Sequence, residues 1–306
     1  MNYLHLPFIN KIDEMTGGCY TQTWSGTWLF RHVPELDIFW IAGKIMGNEE
    51  HMLARTALLA GEIMLISGAE IARIEDTIHH ILGCCPDRKA QTMVFSTGIF
   101  VSLDNSSGEA ITLVRRVNER STNLGRIYLV NEVSRKLCSQ AMTPLAAYEE
   151  LEMIRTRSQY KKWLKALSYM FISFFFGVML RGSMVDCIAA AVTGGVLGFV
   201  VYMASRIHLN DFCTNVLGAF SLGTAALALN RWLLTGSSTD IVIISAVMPL
   251  VPGVIFTTAV RDTLNGDYSS GAARMLEAIV TALAVAAGVG ASMALFHQLT
   301  GGGTVW

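Results

Sequence analysis

The sequence predicts a membrane α-helical bundle of five transmembrane helices preceded by a cytoplasmic α+β domain. Three observations predict it. Of 306 residues 52% are hydrophobic and 15% charged, a balance too apolar for a pair of ordinary soluble domains. The charge is unevenly spread: from Ala166 onward lie only 5 of the 23 basic and 6 of the 24 acidic residues. Within that second half, five apolar stretches recur at about 163–180, 186–204, 212–229, 241–260 and 275–296. Each is close to the roughly 17 to 25 residues that a helix needs to cross a bilayer.

The elements in front of the spans follow in order. Residues 1–50 are mixed in character and form an unassigned N-terminal extension, in which "ELDIFWIAGKIM" reads as a short amphipathic helix. Lys11 and Asp13 interrupt the first apolar residues, so the start does not read as a secretory signal. From about His51, Met64, Ser67, Ile71, Ile74, Ile78 and Ile81 recur at helical spacing, which predicts one long amphipathic helix ending near Gly83. "TMVFSTGIFVSLD" and "AITLVRRV" are rich in β-branched and aromatic residues and predict two or three antiparallel strands, with "DNSSGE" as a turn. "LGRIYLVNEVSRKLC" and "TPLAAYEELEMIRTR" return to helical spacing; in the second, Thr143 is a plausible N-cap and Pro144 the first helical residue. Residues 51–160 therefore make the α+β domain, and 161–306 the membrane domain.

A net charge of −1 with no basic stripe argues against nucleic acid as a partner. The basic cluster "RTRSQYKKWLK" stands directly before the first span and acts as a topology signal, which sets the N-terminal domain inside. With five spans, Arg206, Arg261 and Arg274 also fall inside, and Arg181 and Arg231 outside, as does the C-terminus. The six cysteines show neither a CxxC pair nor regular spacing, which suits free thiols better than disulfides. His79, His80, Cys84 and Cys85 are adjacent on a helix and diverge by about 100° per residue, so no metal site is expected. No cofactor motif is present.

In "SAVMPLVPGVIFTTAVRD" two prolines and a glycine interrupt the fourth span. Each proline removes a backbone donor at roughly 3 kcal/mol in a helix interior. In lipid the freed carbonyls need protein or a wet cavity, so Pro249, Pro252 and Gly253 mark an interior site. A helix restarting at Gly253 would aim its positive end at the bilayer centre, which suits a carboxylate. Charges at or within spans add Asp186, Asp211, Asp262 and Glu277 to the substrate pathway, together with Asn215; Arg274 is spaced to pair with Glu277 along one helix. Asp186 and Asp211 also suit interfacial capping, and Arg261 with Asp262 could gate or simply be solvated. Gly194 and Gly198 form a GxxxG, and Gly218 and Gly223 follow in the next span, so helices can approach closely. In the α+β domain Glu62, Gly68, Glu70, Arg73 and Glu75 form a polar motif beside Gly61. Without a nucleophile, phosphate loop or metal motif it reads as a face of ion pairs, and no catalytic residue is assigned.

Taken together, "GEIMLISGAEIARIEDTIHHILG", "TGIFVSL", "TLVRRV", "LGRIYLVNEVSRKL", "MPLVPG" and "RDTLNGDYSSG" resemble the threonine/serine exporter family over about residues 51–296. Full-length members carry roughly twice as many spans, so the chain looks like the large subunit of the split form, which pairs with a small membrane protein and has been linked to succinate export. The resemblance implies a bacterial inner-membrane exporter of small polar metabolites, amino acid or organic acid, in contact with membrane lipid. It implies a transporter and no enzyme. A membrane-anchored enzyme or a non-transporting scaffold is the alternative.

Overall fold

The computed structural model describes residues 35–84, 90–104, 110–118, 120–157, 160–233 and 236–300. The chain divides after Met52, and the α+β elements and the apolar helices share the second unit, Leu53–Trp306. Cys85 and most of "DNSSGE" lie outside the described residues, as do residues 1–34.

Helix α1 (Glu35–Ile66) is 32 residues long, so "ELDIFWIAGKIM" is its beginning and not a separate short helix. The single long helix expected from His51 to Gly83 is in fact two. The break is a left-handed helix ending: Gly68 has φ +83°, its amide donates to Leu65 O at 3.2 Å, and the Ala69 amide donates to Met64 O at 3.1 Å. These bonds satisfy carbonyls that the helix end leaves over, and glycine adopts the conformation without steric cost. The chain restarts as α2 (Ile71–Leu82). Its stripe Ile71, Ile74, Ile78 and Ile81 is buried, and it meets α1 at Gly61, where a Cβ would stand 2.7 Å from Ile78 Cδ1.

The strand-rich segments form three antiparallel strands in the order β1 (Ala90–Phe95), β2 (Gly98–Asp104) and β3 (Ala110–Arg116). Phe95 pairs with Gly98, so Ser96 and Thr97 make the first turn. Val94, Ile99 and Val101 point into a core shared with α1, α2 and two further helices, α3 (Leu124–Cys138) and α4 (Pro144–Thr156). Alternation along the strands leaves Met93, Phe100 and Val114 on the other face. Asn123 caps α3 by accepting from the Arg126 amide, and Thr143 caps α4 by accepting from Ala146, with Pro144 at the first helical position as expected.

The five apolar stretches become α5 (Lys162–Met179), α6 (Met184–Arg206), α7 (Asp211–Ala228, extended by a π turn to Leu233), the pair α8 (Thr239–Val247) and α9 (Gly253–Leu264), and α10 (Tyr268–Leu299). Among the described residues three of these helices are long and apolar enough to cross a membrane, and the count is four if the bent pair is one span. The apolar part of α5, Trp163–Met179, is shorter. Glycines set the helix approaches. A Cβ on Gly198 would lie 2.5 Å from Ala166 O, one on Gly194 2.7 Å from Tyr169 O, and one on Gly177 3.3 Å from Cys187 Cα, so α5 runs antiparallel along α6. Gly223 meets Ser292, and Gly288 meets Val216 O, where α7 crosses α10. Such close backbone approach gains dispersion contacts that lipid cannot match.

Candidate functional site

The fourth apolar stretch bends by 57° between its two halves. A 3₁₀ turn, Met248–Leu250, carries Pro249; Val251 is extended, and the Gly253 amide donates to Val251 O at 2.8 Å. Helix α9 then starts at Gly253 with no side-chain cap. The first amides of a helix lack intrahelical partners, and those of Val254 and Ile255 belong to residues lining a cavity of about 980 Å³. Nothing lies within 4 Å of a Cβ placed on Gly253, so the glycine opens space beside the new helix end.

The cavity is shared between the broken helix, the first turns of α7 and the N-terminal half of α10, with a roof from the α+β domain. Pro249, Pro252, Gly253, Asp211, Asn215 and Glu277 all line it, so six of the eight pathway residues read from the sequence meet in one place. A smaller cavity of about 190 Å³ joins Asp211 and Glu277 to Gly68 and Ser96.

The other two lie elsewhere. Asp186 is buried at the far end of the bundle, where it completes a capping box with Ser183 and accepts the Ser238 amide at 2.6 Å. It ties the α5–α6 turn to the start of α8. Asp262 is fully buried at the end of α9. Its Oδ1 accepts the Ile71 amide at 2.9 Å, so a residue of the helical bundle caps α2 of the α+β domain. Its Oδ2 lies 2.9 Å from Arg274 Nη1, off the N–H axis, as a buried ion pair. Arg274 Nη2 donates to Ala69 O at 2.8 Å.

The break after α1 is therefore a docking point. Ala69 and Ile71 are held by Arg274 and Asp262, Glu70 pairs with Arg261, and the Ser96 amide donates to Ser270 Oγ at 3.1 Å. The expected Arg274–Glu277 pair does not form, because each has a better placed partner: Glu277 Oε2 accepts from Arg120 Nη1 at 2.6 Å. Arg261 and Asp262 are likewise engaged and not simply solvated.

The motif of the α+β domain disperses. Glu62 stands 3.0 Å from Arg115 Nε and 4.0 Å from Arg155 Nη1; Glu70 faces Arg261; Arg73 is exposed. The Glu75 carboxylate accepts the Val94 amide at 3.0 Å, and burial pushes its pKa up against the pull of that bond. Of these five residues, Gly68 lines the smaller cavity and none lines the larger one.

Sequence reading missed Arg120, Asn118 and Thr97, which form the roof. They lie between or just after strands, where no periodicity marks them. A lone arginine between the end of β3 and the cap of α3 was the available signal.

The comparisons with known proteins agree on one family. The family described as "Putative threonine/serine exporter" matches residues 55–296. The chain is 23% identical over 236 residues to a "Probable threonine/serine exporter" of Mycobacterium tuberculosis, a match covering 74% of this chain but 43% of that longer protein. It is 24% identical over 254 residues to the "Probable succinate transporter subunit YjjP" of Escherichia coli, covering 81% of this chain and 95% of that one. The Klebsiella aerogenes protein of the same name is 23% identical over 256 residues, with 81% and 96% covered. No solved structure matches. With more than half its length matched, and with several membrane-length helices around a cavity, this chain belongs to the threonine/serine exporter family.

Proposed function

We propose that the chain is the large subunit of a two-part exporter of small polar metabolites that carry a carboxylate. The observation that carries this reading is the cavity of about 980 Å³ at the broken helix, where the uncapped start of α9 meets Asn215, Asp211 and Glu277. A helix start offers amide donors and positive potential to a carboxylate, and non-helical backbone at that depth is stable when it borders a polar space. The YjjP proteins are named as transporter subunits and match the chain over nearly their full length, which supports a separate small membrane protein as partner. Membership of a transporter family also weighs against an enzyme.

Five spans fit the packing, because α5 lies along the 23-residue α6 for most of its length. At 1.5 Å per residue, α5 reaches about 27 Å, within the range of a short span. Residues 51–160 and 161–306 then act as cytoplasmic and membrane domains of a bacterial inner-membrane protein. Arg261 and Arg274 lie at the docking point and Arg206 just before α7, on the cytoplasmic side in this reading, while Arg181 and Arg231 flank the far end marked by Asp186 and Ser238. Glu277 is the candidate for a proton-linked carboxylate, since it faces the cavity and Asp262 is held in an ion pair.

The experiment is efflux of labelled threonine, serine and succinate from proteoliposomes, with this chain alone and with its small membrane partner. Flux that needs both proteins supports the reading, and the preferred label identifies the substrate. Absence of flux with both proteins folded and inserted refutes it. Flux indifferent to an imposed pH gradient removes the proton-linked role of Glu277.

A further inference from the structure

We propose that Arg120, supplied by the α+β domain, is the residue that receives the substrate's carboxylate, so that the binding site is incomplete in the membrane domain alone. The inference rests on the exporter reading for the identity of the ligand and deepens it.

Among the described residues lining the larger cavity, Arg120 is the one cation; Asp211 and Glu277 are the anions. Arg274, close by, is committed to Asp262 and Ala69 and is 6% exposed. Arg120 is differently placed. Its side chain is 33% exposed and lines both cavities, and its partner Glu277 is 35% exposed. An ion pair this open to water is weak, so an incoming carboxylate can take the place of Glu277.

The guanidinium is nevertheless aimed. Nη2 donates to Ser96 O at 3.2 Å, and the Ser96 amide is fixed to Ser270 Oγ on α10. The segment that carries it is pinned next door, where the Ser121 amide donates to Ile66 O at 2.8 Å and the Asn123 amide to Ser67 O at 3.0 Å. A guanidinium has five donors in a planar fork that matches a carboxylate. Of its contacts to Glu277 and to Ser96 O, the one to Glu277 is exchangeable. Exchange leaves the Glu277 carboxylate facing the cavity with its charge unpaired, ready for an ammonium group on the same ligand. No comparable pairing is open to a neutral amide in place of the acid.

The test measures equilibrium binding of labelled threonine and succinate to the full chain with its partner in nanodiscs, with competition by threoninamide and succinamide, in which amides replace every carboxylate. The wild type should prefer at least one acid over its amide by about 10- to 100-fold, the scale of a charge-assisted hydrogen bond. Arg120→Gln should lose that preference, and Arg120→Lys should keep part of it. The double variant R120E/E277R restores an ion pair across the same gap and should still fail to prefer the acid. Acid preference retained in Arg120→Gln overturns the proposal, as does acid preference in the swapped double variant, which would make the pair a strut. Absence of acid binding by the wild type overturns it too. Flux failing while binding obeys the pattern would sink the exporter reading alone.

Discussion

Asp262→Ala removes two interactions at once. Oδ1 accepts the Ile71 amide and Oδ2 pairs with Arg274, and both side chains are out of water. Loss of one partner from a buried ion pair costs about 3–5 kcal/mol, because the remaining charge is stranded. Loss of a helix cap costs about 1 kcal/mol more. Arg274 keeps its donation to Ala69 O, so the lower end of the first figure applies, for a total on the order of 4 kcal/mol. Asp262→Asn keeps an oxygen for the Ile71 amide and loses only the charge, so it should be milder by about 1 kcal/mol. Hydrogen exchange of the full chain in nanodiscs reads this directly at the first-turn amides of α2, since local opening free energy sets their rate. The alanine variant should exchange there more than 100-fold faster, with the asparagine variant roughly fivefold behind it. Unchanged rates at Ile71–Arg73 in a folded alanine variant would refute the docking argument. Equal rates in the two variants would refute the capping part alone.

Pro252→Ala allows a continuous helix across the break, and should depress flux more than expression in the proteoliposome assay; normal flux would remove the broken helix from the mechanism. Gly288→Ala places a Cβ 2.5 Å from Val216 O, and should destabilise by about 1–3 kcal/mol as overpacking, seen as a lower melting temperature in detergent. Gly290→Ala, with nothing within 4 Å of its Cβ, is the matched control and should melt as wild type or slightly higher. Glu75 binds its proton more tightly in the folded chain because burial raises its pKa. Its contribution to stability is therefore full below the usual carboxylate value of about 4.3, and is lost as pH rises through the raised pKa. Glu75→Gln should melt above wild type at neutral pH, and the gap should close as the pH is lowered to about 4; a gap that widens on acidification would contradict the sign.

What was legible in the sequence was whatever depends on local pattern. The apolar stretches, the isoleucine stripe of α2, the strand-rich segments and the caps at Thr143 and Asp186 all report through spacing or neighbours. The break in the fourth stretch was visible because proline acts within one turn of itself. Gly68 misled, because the residues it inserts between α1 and α2 preserve a helix-like spacing of apolar side chains, so the periodicity reads through the end of one helix into the next. The partners of Arg120, Asp262 and Arg274 were not legible. Each lies 157 to 205 residues away from the group it meets across the docking point, and a charge in a sequence does not reveal which of several opposite charges it will face. Arg274 and Glu277 have the spacing of a helical pair, yet tertiary contacts assign both elsewhere.

Ile71 and the residue that caps it are 191 positions apart. At about 5–20 residues per second, the start of helix α2 is synthesised roughly 10 to 40 s before Asp262 exists. During that interval its first turn has only water to bond, and the segment Ser67–Glu70 has neither Arg274 nor Arg261 against it. Completion of the early domain therefore waits for the last two apolar segments to insert. A chain in which α9 packed elsewhere would leave the Ile71 amide and the Ala69 carbonyl without Asp262 and Arg274. The corner that joins the two halves is thus the last part of the early domain to be completed, although its residues are among the first to be made.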